Sequence, residues 1–405
     1  MSICLMSRRL PILFILTTVA IDAMGFGLIL PVMPDLIQEV SGNTLADAAI
    51  WGGILTTAFA VTQFLCGPLI GSISDRFGRR PVLLISLLVM AADYLVMAVA
   101  GSIWLLLVGR LVGGVTSATY ATASAYMADI SKPDEKARNF GLIGVGFGVG
   151  FVLGPLLGGV LAEVGTRTPF YVAAVLALSN TVLGYFVLKE TVTDAIRRPF
   201  SWLRANPLGA LYAIGKLPEL TKLLIVFFFY EVAVIVYVSV WPYYATELFQ
   251  WSPAMLGLSF AIYGGCYALS QGLLVAPSIR LLGTRGTVSL GLWIETASLV
   301  FFGMATNGML VLLMIPITAL GAIGIPALQA VMSRRVGDDA QGELQGVLAS
   351  LTSLATIISP ILMTQAFARF SETEGPYYAP GAPFLFSALV MLCATVIFLT
   401  SRRRT

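Results

Sequence analysis

The strongest constraint in this sequence is a recurring apolar stretch, each copy long enough to form a helix across a bilayer. A hydrocarbon core about 30 Å thick takes about 20 helical residues to cross. Twelve spans are expected, near 10–33, 50–73, 81–100, 103–128, 139–163, 169–188, 221–246, 253–277, 286–305, 308–332, 343–368 and 382–400. Gly and Pro recur inside them. No segment alternates polar and apolar residues as a barrel strand must, so the spans are helices. Charged side chains are 11% of the chain, against about 25% in soluble domains, which excludes a soluble enzyme.

Charge placement gives orientation. Twelve spans put the loops on alternate sides, and one side holds 21 of the 24 basic residues. That bias predicts both termini in the cytoplasm of an inner, or plasma, membrane. The first span is too long for a signal peptide and lacks a small-residue cleavage site. Translation starts at Met1 or Met6, since nothing before Met6 has a structural pattern. Cys4, Cys66, Cys266 and Cys393 have no metal-ligand spacing, and histidine is absent. No fixed metal or cofactor is expected.

The longest polar connection, about Lys189 to Lys222, divides the chain into bundles at 1–188 and 221–405 with a cytoplasmic loop at 189–220 between them. Landmarks recur at a constant offset across it. Gly78 pairs with Gly283, Arg80 with Arg285, Asp134 with Asp339, Gly141 with Gly346 and Pro155 with Pro360. A constant offset at several positions is a repeat signal. Six spans per half leave the repeats parallel, so the expected fold is an all-α membrane protein of two parallel six-helix repeats.

Within "GSISDRFGRRPVLL", Gly71 and Gly78 are expected to permit a tight loop, and Arg76, Arg79 and Arg80 to hold it on the inside. Asp75 has no such explanation, and in the second copy Arg280 stands in its place. An acid among arginines can form a pair that is remade when the structure switches, so a gating role is expected. On the fifth span Gly146, Gly150, Gly154 and Gly158 fall four apart, beside Pro155 and Gly159. That small-residue stripe predicts close helix packing at a bent seam between the halves. Gly109, Gly113, Ser117 and Ala121 make a second stripe on the fourth span.

Asp22, Asp93, Arg110, Glu231 and Glu295 lie inside spans. A charge at that depth costs about 2.5 kcal/mol or more, so each must pair, protonate or face a cavity. Carboxylates at that depth suit reversible proton sites, although Asp22 or Asp93 could instead bond another helix, and Arg110 can pair with a carboxylate that has lost its proton or join helices. Tyr230, Tyr237, Trp241, Tyr243, Tyr244 and Trp251 read as an interfacial aromatic belt, with Tyr230 and Tyr237 deep enough that either could line a cavity.

These motifs carry a resemblance. "GSISDRFGRRPVLL" and "GRLVGGVTSAT" resemble signatures of the major facilitator superfamily, and "GVGFGVGFVLGPLLGG" resembles its drug–proton antiporter helix. "AADYLVMA" and "IPALQAVMSRRV" followed by "GELQGVLASLTSLA" are similar to tetracycline exporters. The resemblance implies a proton-coupled antiporter, working as a monomer, that exports a small amphipathic drug as a magnesium chelate. It implies acids at Asp22, Asp75, Asp93 and Glu295, with protons exchanged at Asp22 and Glu295, supported by Arg110, and substrate held at Asp93 and Gln271. Two positions depart from it: Tyr267 stands where the exporters carry histidine, and Glu231 stands where they carry an uncharged polar residue. Both are expected near the substrate. A multidrug or natural-product exporter remains an alternative on the same scaffold. So do an importer and a non-transporting sensor or assembly factor, although charges at membrane depth argue against a passive scaffold.

Overall fold

The structure, a computed structural model, describes residues 2–117, 119–132, 135–193, 197, 206, 218–337, 340–372 and 378–401. Asp134, Asp339, Arg402 to Arg404 and most of the expected central loop lie outside them. The described residues form helices and turns, with no strand among them.

Eleven uninterrupted stretches are long and apolar enough to cross a membrane. One of them, Pro253–Met304, has 52 residues. At about 1.5 Å per residue that is more than twice the membrane core. Gly283 interrupts it with φ 71° and ψ 166°, a backbone that no helix uses. The stretch is therefore two spans joined by one glycine, and the expected twelve are present. Gly78 makes the matching break in the first half, with φ 116°. Both positions favour glycine because a Cβ clashes at positive φ.

Three boundaries differ from the sequence reading. The helix Leu45–Phe77 carries Gly71, Asp75 and Arg76, so the expected loop shrinks to Gly78. Gly71 permits no turn; it is an ordinary helical residue with open space around it. A polar last turn has water and ion pairs to satisfy it, so the helix continues past the apolar run. The first helix begins at Ser2, before Met6. The fourth span is two helices, Ile103–Thr116 and Thr119–Ile130, and Ser117 caps the first.

The chain forms two compact units. One comprises Met1–Ser41, Ala58–Pro207 and Pro253–Ala261. Its core holds Phe14, Ile15 and Val19 of the first span against Leu83, Leu87, Tyr126, Met127 and Ile143. The glycine stripe packs within this unit. A Cβ on Gly146, Gly150, Gly154 or Gly158 would meet the carbonyl oxygen of Leu16, Ala20, Met24 or Leu28, each four residues further along the first span. The backbones touch, as small-residue stripes allow. The expected seam between halves therefore does not describe the stripe. Pro155 sets its ring against Gly27 of the first span and its carbonyl against Gly257 of the eighth, and Gly159 faces Pro253 and Ala254 of the eighth.

The other unit comprises Gly42–Thr57, Leu208–Ser252 and Ile262–Thr405. Thr57 donates to the Ile357 carbonyl at 2.9 Å and Ser359 to the Val232 carbonyl at 2.7 Å. The expected aromatic belt is an aromatic core. Tyr230, Trp241, Tyr243 and Tyr244 are all buried. The seventh helix breaks after Ser239 and restarts at Trp241. The restarted turn packs inward: Trp241 lies edge-on to Phe302 at 5.2 Å, and Tyr244 lies 4.8 Å from Phe384.

Candidate functional site

The first unit contains a cavity of about 380 Å³ whose walls include Asp22, Asp93, Arg110, Tyr94, Phe59 and Gln63. The sequence placed three of these charges at membrane depth, and the fold brings all three together. Arg110 donates to Asp93 Oδ2 at 2.9 Å, although the two lie on different spans. Exposure is 6% for Asp93 and 9% for Arg110, so the pair is shielded and strong. Gly109 and Gly113 make room for it, since a Cβ on either would approach an Asp93 oxygen to 2.8 Å. The fourth-span glycines thus seat a carboxylate as well as a helix. The Phe59 ring lies 5.4 Å from the guanidinium and supplies a cation–π face. Asp93 Oδ1 and Arg110 Nε are buried without a partner. One carboxylate oxygen and one donor therefore remain for a ligand, a proton or water. Phe59 and Tyr94 were not singled out from sequence. Tyr94 lies in "AADYLVMA" beside Asp93, and only that adjacency marked it.

The second unit seats its own acid in a similar way. Glu295, with 0% exposure, packs against Gly321, whose Cβ would stand 2.8 Å from the glutamate Cγ. Its partner is not a cation: Tyr237 donates to Oε2 at 3.4 Å, and Oε1 has no partner. Tyr237, Tyr263 and Tyr267 follow one another at centroid spacings of 6.2 and 6.0 Å. Tyr267 adjoins Gln271, which sits in a π-helical turn, Ser270–Leu274. Gln271 Nε2 donates to the Ala322 carbonyl at 3.3 Å. Glu231 is half-buried beside Thr352. The four site residues that the sequence named in this half, Glu231, Tyr267, Gln271 and Glu295, therefore lie in one cluster.

The Gly78 end of the first unit carries an ionic lattice. Arg79 pairs with Asp75 across the Gly78 break and reaches Asp129 at 3.3 Å. Glu190 accepts from the backbone N–H groups of Arg79 and Arg80 at 2.9 and 3.2 Å, and so caps the third span. Arg80 donates to the Tyr185 carbonyl at 2.8 Å and lies over that ring. Arg76 points elsewhere, over Phe77. Asp129 and Glu190 escaped the sequence reading, which sorted only basic residues by side. Sorting the acids too would have placed both beside the arginines.

Outside the spans, Asp35 is held above the usual aspartate range by burial and by the nearby Glu163 carboxylate.

Twelve apolar spans, with carboxylates seated at membrane depth in both units, define a multi-pass membrane transporter of small molecules. The chain belongs to the Major Facilitator Superfamily, which it matches over residues 15–241 and again over 223–405. It is a transporter and not an enzyme. Tetracycline resistance protein, class C, from Escherichia coli is 39% identical over 94% of this chain and 95% of its own. The class G protein from Vibrio anguillarum is 38% identical over 89% and 91%. Among solved structures, the nucleoside transporter NupG superposes with a TM-score of 0.81 at 12% identity, over 98% of this chain and all of that one. The human organic anion transporter MFSD10 gives 0.71 at 24% identity, over 96% and 99%. These two show a shared fold.

Proposed function

We propose that the protein is a proton-coupled efflux antiporter that exports a tetracycline-like amphipathic drug across the inner membrane. Full-length similarity to tetracycline resistance proteins supports the cargo class. The observation that carries the mechanism is the buried Asp93–Arg110 pair in a cavity that also holds Asp22.

In this reading the inward-facing protein binds drug beside Asp93, with Mg²⁺ entering as part of the cargo and not as a fixed cofactor. After access changes, protons reach Asp22 and Glu295, weaken drug binding and permit return. Arg110 holds Asp93 charged when no proton is present. Asp75 and Arg79, with Arg76 and Arg80, form the inner gate across the Gly78 break. Pro155, Gly150, Gly154, Gly158 and Gly159 keep the first, fifth and eighth spans in leak-tight contact. Protonation must favour one state over the other, or it shifts nothing. Each charge crossing about 100 mV supplies about 2.3 kcal/mol, roughly a fifty-fold drug gradient per proton. Both termini lie in the cytoplasm, the halves divide at the 189–220 loop, and a single chain suffices.

The test is proton release from everted vesicles on adding tetracycline with Mg²⁺, comparing wild type with Asp93→Asn. Release in the wild type and silence in the variant is the expected result. Silence in both, with a response to other amphiphiles, would keep the mechanism and replace the cargo. Tyr267 and Glu231 favour that second reading, because they are the departures from the exporter pattern.

A further inference from the structure

The two units balance their buried carboxylates differently. In the first, Asp93 has Arg110. In the second, neither Glu231 nor Glu295 forms a salt bridge among the described residues. The positive charge that two carboxylates need must then arrive from outside, as protons or as cargo. The two acids are not equivalent. Glu295 is fully enclosed and holds a tyrosine hydroxyl, which suits a proton. Glu231 is only half-buried and can meet something larger.

What surrounds Glu231 says what that is. Tyr230 and Tyr267 both lie within electrostatic reach of Glu231 and of Glu295. Tyr263 and Tyr267 are one helical turn apart, so their rings share a face, and Tyr267 is 41% exposed. Gln271 sits one turn on, in the π-helical turn, with its side-chain amide nitrogen on the Ala322 carbonyl and its side chain hydrogen-bonded to Tyr267. Its side-chain oxygen can still accept. Tyrosine faces, an uncompensated carboxylate and a neutral acceptor attract a desolvated organic cation, and the two carboxylates repel an anion. The unpartnered Glu295 Oε1 is a second, independent sign that this cluster awaits positive charge.

We propose that this face of the second unit is a subsite for a protonated amine on an aromatic or amphipathic body, with Glu231 as counter-ion and Tyr263 and Tyr267 as ring faces. The proposal rests on the exporter reading for its cargo and adds which charge on the cargo is read. Histidine at position 267 could carry a charge that repels such a cation; tyrosine cannot.

The test uses purified protein and binding by intrinsic tryptophan fluorescence. The probes are tetracycline with Mg²⁺, its 4-dedimethylamino analogue with Mg²⁺, and the permanent cation tetraphenylphosphonium. The wild type should bind tetracycline about tenfold more tightly than the analogue. Glu231→Gln should erase that preference by weakening the amine-bearing compound and tetraphenylphosphonium, leaving the analogue within about twofold; Glu231→Asp should restore part of it. No preference in the wild type overturns the proposal without any variant. Equal loss of both tetracyclines in Glu231→Gln overturns it too, assigning Glu231 to folding or proton transfer. Tetraphenylphosphonium binding that needs Glu231, with no tetracycline binding, would sustain the subsite while the tetracycline reading fails. Tetracycline-driven proton release with no amine preference would do the reverse.

Discussion

Arg110 donates to Asp93 across two different spans at 2.9 Å, and the pair leaves one carboxylate oxygen and one guanidinium nitrogen buried and unused. Breaking such a pair from one side strands the other charge, at about 3–5 kcal/mol. Arg110→Ala should therefore lower thermal stability sharply, and Asp93→Asn less, because a neutral amide still hydrogen-bonds. Combining Asp93→Asn with Arg110→Ala should recover much of the stability and none of the transport. Melting of purified protein beside vesicle proton release separates the two. A double variant no more stable than Arg110→Ala would mean that packing against Phe59, and not charge balance, holds this site.

The glycine stripe gives a paired test on one helix. A Cβ on Gly150 would run into the Ala20 carbonyl oxygen, which is backbone and cannot swing away. Gly148, two residues earlier, has nothing within 4 Å. Gly150→Val should cost several kcal/mol and cut folded yield, as overpacking does, whereas Gly148→Val should stay within about 0.5 kcal/mol. Yield and melting temperature in detergent decide it. Similar behaviour of the two would show that the first and fifth spans do not touch.

Much of this was legible because lipid enforces simple rules. The spans, the offset between Gly78 and Gly283 and the depth of each acid follow from period, length and cost. What the sequence hid was partnership. Spacing placed Asp93 and Arg110 at membrane depth but could not say that they meet. The same spacing made the fifth-span stripe look like a seam between halves, when the first span fills it. Tyr244 read as a belt residue because aromatics crowd a span end; a break at Val240 turned it inward onto Phe384. Side-chain direction past a helix break is a tertiary property, and no periodicity reports it.

Arg80 and Arg285 separate what the fold demands from what the mechanism adds. Arg80 holds the Tyr185 carbonyl and lies 5.3 Å from that ring. Arg285 holds the Phe398 and Ser401 carbonyls at 3.1 and 2.8 Å and lies 4.7 Å from the Phe398 ring. Each arginine clamps the end of the last helix in its own half. Asp75, Arg79 and Asp129 have no such copy, since Arg280 replaces the acid. Arg80→Ala and Arg285→Ala should therefore destabilise alike, by about 1–3 kcal/mol each. Asp75→Asn should cut transport with a melting temperature near wild type. A stability loss in Asp75→Asn as large as in Arg80→Ala would demote the acid to another structural clamp.

Asp35 gives a pH dependence of stability that is separate from transport. Burial, helped by the Glu163 carboxylate, raises its proton affinity in the folded state above the ordinary value of 3.8. The folded protein then binds more protons than the unfolded chain as pH rises past that value. The stability contributed by the protonated form is present in acid and falls away as pH climbs through the raised folded value. Asp35→Asn, which needs no proton, should melt higher than wild type near about pH 8 and match it near about pH 4. The same pattern should follow Glu163→Gln at smaller amplitude, because that carboxylate is the lesser of the two causes. Melting curves of the purified proteins across this range measure it. A wild-type advantage near about pH 8 would mean that ionised Asp35 is stabilised in the fold by a donor nearby.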